Sequence, residues 1–261
     1  MNTLNWKARD NEGIIRPLKG NGEPRVSPDV LMVTIPSELK YLVRLTKAEE
    51  TPFNNMDIFH LYQVEDGSEA PLTLSGPFFG APQAVTGLEK LIVLGARRIW
   101  VLGWCGSLQP DLRIGHLIIP TGAISEEGTS PHYPIREKIL ESDVKLNRIL
   151  EEKLKQQDFP FAKGTIWTTD ALYRETPDKV KDYRAKGILA VEMEISALMT
   201  VAHYRSVAMA ALLVVSDELF DLKWRPGFSN PLLRKTSRSA AEILLSLAGS
   251  LRKNDTLKNH N

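Results

Sequence analysis

A chain of 261 residues with 43% hydrophobic residues and 17 glycines can bury one sizeable core, and at about 150 residues per domain it falls between one domain and two. Lys and Arg number 33 and Asp and Glu 32, so a net charge of +1 excludes the broad positive field that holds nucleic acid or an anionic membrane, and any anion site must be local. The one cysteine, Cys105, excludes a disulfide framework and a thiolate-rich zinc centre; with polar residues 1–16 and no apolar run near the ~20 residues that span a bilayer, a cytoplasmic chain without signal peptide or membrane span is expected.

Apolar runs of strand length alternate with longer amphipathic stretches, which predicts an α/β fold: a single domain with a mixed, mostly parallel central sheet flanked by helices. Residues 1–29, with their Asn, Gly and Pro clusters, read as an irregular arm, 30–252 as the folded domain and 253–261 as a polar tail. A first strand is predicted over 30–35, followed by a helix opening at Pro36. The strand 72–75 runs into the turn-rich Gly76-Pro77-Phe78-Phe79-Gly80-Ala81-Pro82, which feeds a helix through Leu94. The buried-strand run 98–102 ends in Gly103-Trp104-Cys105-Gly106-Ser107, read as a tight glycine loop. Further strands are predicted over 116–119, 164–169 and 207–215, and a helix over 143–154 with Ser142 as its cap. Asn230 and Pro231 open a last amphipathic helix reaching about Leu251.

The phosphate loop GxxxxGK[ST], the dinucleotide loop GxGxxG, the zinc motif HExxH and the GxSxG elbow are all absent, which removes most ATP, NAD and hydrolase-triad chemistry. His60, His116 and His203 show no metal spacing, so no metal is expected. Two glycine loops follow strands, where open α/β sheets bind ligands, although either alone reads more readily as a tight turn. Val191-Glu192-Met193-Glu194 sets two carboxylates between an apolar strand and an apolar helix. If the strand continues, alternation sends both acids into one polar cavity; otherwise one is a solvated acid at a helix start. Asp217 ends the most apolar strand, either as a functional acid or as a helix cap. Cys105 reads better as a small packed residue than as a nucleophile, since no His adjoins it.

Together, Thr169-Asp170-Ala171-Leu172-Tyr173, Val191-Glu192-Met193-Glu194 and Val215-Ser216-Asp217-Glu218 resemble the nucleoside phosphorylase superfamily, in the branch of hexameric purine nucleoside phosphorylases, uridine phosphorylases and related nucleosidases. The two glycine loops, Arg113-Ile114-Gly115-His116 and Glu127-Gly128-Thr129-Ser130-Pro131-His132-Tyr133 fall in the family's order and spacing, and the resemblance covers about residues 30–251. It implies the family's fold and cleavage of the N-glycosidic bond of a nucleoside, purine-type favoured, by phosphorolysis to free base and pentose 1-phosphate. A hydrolytic nucleosidase, a uridine phosphorylase and a non-catalytic nucleoside-binding protein are the alternatives. By the same resemblance Glu194 would accept hydrogen bonds from the ribose hydroxyls, Met193 would pack on the sugar and Glu192 would shape the pocket. Asp217 would protonate the departing purine, with Gly103, Trp104, Leu172, Tyr173 and His132 lining the substrate. No cofactor is implied beyond inorganic phosphate as co-substrate, and a homo-oligomer, dimer or hexamer, is expected.

The departures are informative. Thr176 and Asp178 stand where uridine phosphorylases carry the Gln and Arg that read uracil, and Leu172 replaces the stacking Phe, which favours purine. The phosphate arginine and hydroxyl of the strand-end loop are Val101 and Trp104, and the other phosphate turn reads Ile35-Pro36-Ser37-Glu38, with the wrong sign for a dianion. Arg44, Arg97, Arg98 or a neighbouring subunit would have to rebuild that site.

Overall fold

The computed structural model describes residues 13–53, 58–64, 71–135 and 139–258, so residues 1–12 of the expected arm and 259–261 of the expected tail lie outside it. The elements follow in the order β1 (Asp29–Val33), α1 (Pro36–Thr46), β2 (Glu49–Glu50), β3 (His60–Gln63), β4 (Thr73–Gly76), α2 (Ala81–Leu94), β5 (Arg98–Ser107), β6 (Leu117–Glu126), β7 (Ile139–Glu141), α3 (Val144–Gln156), β8 (Phe161–Thr169), α4 (Pro177–Ala185), β9 (Ala190–Glu192), α5 (Ile195–Arg205), β10 (Ala208–Glu218), β11 (Arg225–Pro226) and α6 (Pro231–Lys258).

Parallel pairing joins β4, β1, β5 and β10 in one run, and β6, β8 and β9 in another. Antiparallel pairs link the two runs at both ends, β10 to β6 and β9 to β5, so five strands close into a ring. The sheet is therefore mixed, with a barrel-like core, and β3 and β2 continue it outward from β4. Alternation along the strands decides which helix each residue meets. Ala211, Leu213 and Val215 pack toward α2 and α5, while Ala210, Leu212 and Val214 pack toward α1, α3 and α6. Each large side chain buried there contributes about 1.5–3 kcal/mol.

Three details depart from the sequence reading. The stretch from Gly103 to Ser107 is strand, because β10 pairs with β5 as far as Ser107 and β9 pairs with Gly106. The glycines there serve close packing: a side chain at Gly106 would collide with Leu219 and come within 3.1 Å of the Asp217 carboxylate. The cap of α3 is Asp143, whose carboxylate accepts from the Leu146 N–H at 2.8 Å, while Ser142 donates to the Pro120 carbonyl. At the other end of the chain, α6 continues to Lys258, through part of the segment expected to be tail. Its start is as the sequence predicts, with Asn230 Oδ1 accepting from the Leu232 N–H at 2.9 Å.

Candidate active site

β5 and β10 end side by side at Ser107 and Glu218, and the short β9 crosses the end of β5 antiparallel while running parallel to the end of β8, so acids from β9 and β10 gather beside Gly106. β9 stops at Glu192 and the chain turns into α5, so strand alternation does not orient Glu194. Glu192 instead caps the helix. Its Oε2 accepts from the N–H groups of Glu194 at 2.6 Å and Ile195 at 2.8 Å, and its Oε1 from the Thr168 hydroxyl. The helix-start reading of this acid is thus correct, though the carboxylate is buried rather than solvated.

Glu194 reaches the other way. Its Oε1 accepts from the N–H of Gly80 at 2.6 Å, joining two loops 114 residues apart. Gly80 takes a φ of 83°, a left-handed conformation that favours glycine, and so can present that N–H. Burial raises the pKa of both acids. Glu194 is also raised by the Glu192 charge, whereas Glu192 is offset by its donors from Thr168, Glu194 and Ile195. Beside them Glu127 accepts from the hydroxyls of Ser125 and Ser196 and the N–H groups of Thr129 and Ser130; burial raises its pKa, and the hydrogen bonds from Ser130 and Ser125 more than reverse that. Asp170 holds the Gly128 N–H at 2.7 Å.

On β10, Asp217 Oδ1 accepts from the Ser216 hydroxyl at 2.7 Å and Oδ2 from the Trp224 indole N–H at 3.0 Å. Burial raises its pKa against both hydrogen bonds. Glu175, on the loop after β8, is pushed up to about 8 by burial and by the Asp217 charge. Cys105 lies beneath, buried, with its thiol pKa raised by burial and by Asp217 and Glu192.

A family model described as the phosphorylase superfamily matches residues 28–247. The chain belongs to the phosphorylase superfamily. A guanosine phosphorylase of Halorubrum lacusprofundi is 30% identical over 154 residues, which are 59% of this chain and 63% of that one; the match thus spans less than two thirds of the relative. In fold, the chain resembles the uridine phosphorylase of Vibrio fischeri ES114, with a TM-score of 0.75 and 24% identity over 90% of this chain and 98% of that one. It equally resembles the purine nucleoside phosphorylase of Toxoplasma gondii in complex with immucillin-H, with a TM-score of 0.77 and 22% identity over 88% and 93% of the two chains.

Not every residue singled out by superfamily resemblance joins these acids. Gly103 is buried against Leu213 and Thr34, and Met193 is half-buried between the two acids. Trp104 turns toward α6, its indole N–H donating to Ser237 at 2.8 Å and its ring stacked on Phe228 at 6.0 Å. Leu172 and Tyr173 are exposed on a short 3-10 turn. His132 is exposed and lines a separate cavity of about 660 Å³ with Tyr133, Glu89 and Arg205.

The arginines offered for an anion are engaged elsewhere. Arg97 donates to the carbonyls of Ile92 and Ala96, Arg98 forms a fork on Asp29, and Arg44 is exposed in the last turn of α1. Arg98 opens β5, five residues before Gly103 and about 17 Å from it at 3.3 Å per residue. In the turn after β1, Glu38 is 3% exposed, with Oε1 accepting from Ser37 at 3.2 Å. Burial raises its pKa, against Ser37 and the Arg238 and Arg234 charges. Among the described residues no group of His, Cys, Asp and Glu is arranged to hold a metal ion, and no helix is long and apolar enough to cross a membrane. Sequence reasoning gave no role to Thr168, Glu175, Trp224 or Phe228, whose spacing from the recognised motifs carries no signal.

Proposed function

We propose that this chain cleaves the N-glycosidic bond of a purine-type nucleoside. The observation that carries the reading is a pair of held acids at the ends of β9 and β10: Glu194, buried and anchored to Gly80, and Asp217, half-buried and held by Ser216 and Trp224. Bond cleavage leaves positive charge on the ribosyl ring and electrons on the base. Glu194 accepts the sugar hydroxyls and stabilises that charge; Asp217 delivers a proton to the leaving nitrogen. Keeping the leaving-group acid argues against a mere nucleoside-binding protein, and Thr176 and Asp178 argue against uracil.

The acceptor is a second question, and the residues at the family's phosphate positions bear on it. Val101 and Trp104 stand where the family's strand-end loop carries a phosphate arginine and hydroxyl, the other phosphate turn carries the acid Glu38, Arg97 and Arg98 are engaged by carbonyls and by Asp29, and Arg44 is exposed. A charged contact is worth about 1.5–3 kcal/mol, so two lost contacts weaken phosphate by about 10²–10⁴-fold. This favours water over phosphate and the nucleosidase reading over the phosphorolysis expected from the family. Incubation with a nucleoside panel, with and without phosphate, tests both steps. Free ribose at a phosphate-independent rate is expected; pentose 1-phosphate formed only with phosphate overturns the hydrolytic reading and points to an arginine supplied by a second copy in a homo-oligomer. Light scattering reads that assembly.

A further inference from the structure

We infer that Trp224 is a positioning residue for Asp217, fixing the plane of the carboxylate and stabilising the charge it acquires when it gives up its proton. This rests on the glycosidic reading above and extends it to a residue outside the recognised motifs.

The chain is folded back to make this contact. After Glu218 it turns through Leu222, at a φ of 64°, and returns as β11, which sets Pro226 opposite Asp217 and Arg225 opposite Glu218. The charges flanking Trp224 pair among themselves in part: Arg225 with Asp221, and Glu218 with Arg113 from the segment before β6. Trp224 is left 63% exposed, yet its ring is fixed, edge-on to Phe228 at 6.2 Å, and Phe228 stacks in turn on Trp104. Beyond that ring contact the side chain has one polar group, the indole N–H, and it is aimed at Asp217 Oδ2 at 3.0 Å.

The indole N–H donates only, so it cannot take the proton from Asp217, and it leaves Oδ2 a second lone pair on which the proton can sit. As the C–N bond breaks, its electron pair goes to the base, the Asp217 O–H bond breaks and an N–H bond forms on the base. The carboxylate becomes charged in that step, and a hydrogen bond to a charged acceptor is stronger than one to a neutral acid. Trp224 therefore binds the transition state better than the resting acid. The other titratable groups facing Asp217 are Glu175 from the loop after β8 and Cys105 from β5.

Trp224→Phe tests the assignment, since it keeps a ring against Phe228 and removes only the donor. Two substrates are compared: a purine riboside, and its 7-methylated analogue, whose base already carries positive charge and leaves without being protonated. With the purine riboside kcat should fall about tenfold to a hundredfold, the range for a lost hydrogen bond to a charged group, with a smaller change in KM and a smaller loss for the methylated analogue. The alkaline limb of the pH profile should move upward, because the lost donor favoured the ionised acid. Trp224→His, which restores an N–H, should recover part of the rate. Equal losses on both substrates, or an unmoved alkaline limb, would reduce Trp224 to a wall of the pocket and overturn the inference. A wild-type protein inert on both ribosides overturns the glycosidic reading, and this inference with it.

Discussion

The two ends of β5 treat charge in opposite ways. Where the strand begins, Arg98 closes on Asp29 with Nε and Nη2, one to each carboxylate oxygen, the acid is fully buried, and the Trp100 indole adds a donor at 3.4 Å. Where it ends, Glu192, Glu194, Glu175 and Asp217 gather around Gly106 with raised pKa values, held by hydroxyls, an indole and backbone N–H groups. Cancelled charge makes one end a fastening. Acids held by neutral donors make the other end reactive, because Glu192, Glu194 and Glu175 are raised to about 7 to 8, where they gain and lose protons near neutral pH. The division matches the rule that ligands bind outside the carboxyl ends of strands.

The comparison is broken most sharply by Asp217→Asn at the reactive end. Turnover of purine nucleosides should fall about 10²–10⁴-fold, the span for a positioned general acid, while the unfolding midpoint holds or rises. A collapse of stability with activity would place Asp217 among the fastenings. Arg98→Ala probes the opposite end, leaving Asp29 as an uncompensated buried charge. Denaturant unfolding should show a loss of about 3–5 kcal/mol with an unchanged slope, and the fraction that remains folded should keep its activity. Lost turnover in fully folded protein would erase the distinction.

Glu175→Gln sharpens the comparison through a smaller effect. Its folded pKa of about 8 lies above the ordinary 4.5, so the folded state binds this proton more tightly than the unfolded chain. That contribution is fully present below pH 4.5 and is lost as pH rises through about 8. The thermal midpoint of the wild type should therefore decline across this window more steeply than that of the variant. Parallel curves from the two proteins would show that Glu175 titrates as an ordinary surface acid.

How much of this was legible in the sequence depended on distance along the chain. The helix over Ala81–Leu94, the strand after it and the Asn230-Pro231 helix start were readable because capping and periodicity are local signals. The stretch from Gly103 to Ser107 was misread because glycine marks turns locally, while here it allows Leu219 and Asp217 to approach. Glu192 and Glu194 stood out as acids in an apolar setting, but their division into a helix cap and a pocket acid depends on Thr168 and on Gly80, 114 residues from Glu194. Arg97 and Arg98 were offered for an anion by charge alone, and charge does not say that their guanidinium groups turn to carbonyls and to Asp29. Trp224 was invisible because its role arises from the return of β11 onto β10.

Cys105 lies directly beneath the acids, its thiol kept in the protonated form by burial and by the carboxylates above it. In the closed ring that sulfur is both chemically sluggish and sealed from reagents, because the thiolate is the species that reacts. It becomes competent only when the packing of β5 and β10 against α2 and α5 opens, so the chain carries its own stopwatch: the pace at which a thiol-specific label marks this one sulfur measures how often the core breathes open under the site.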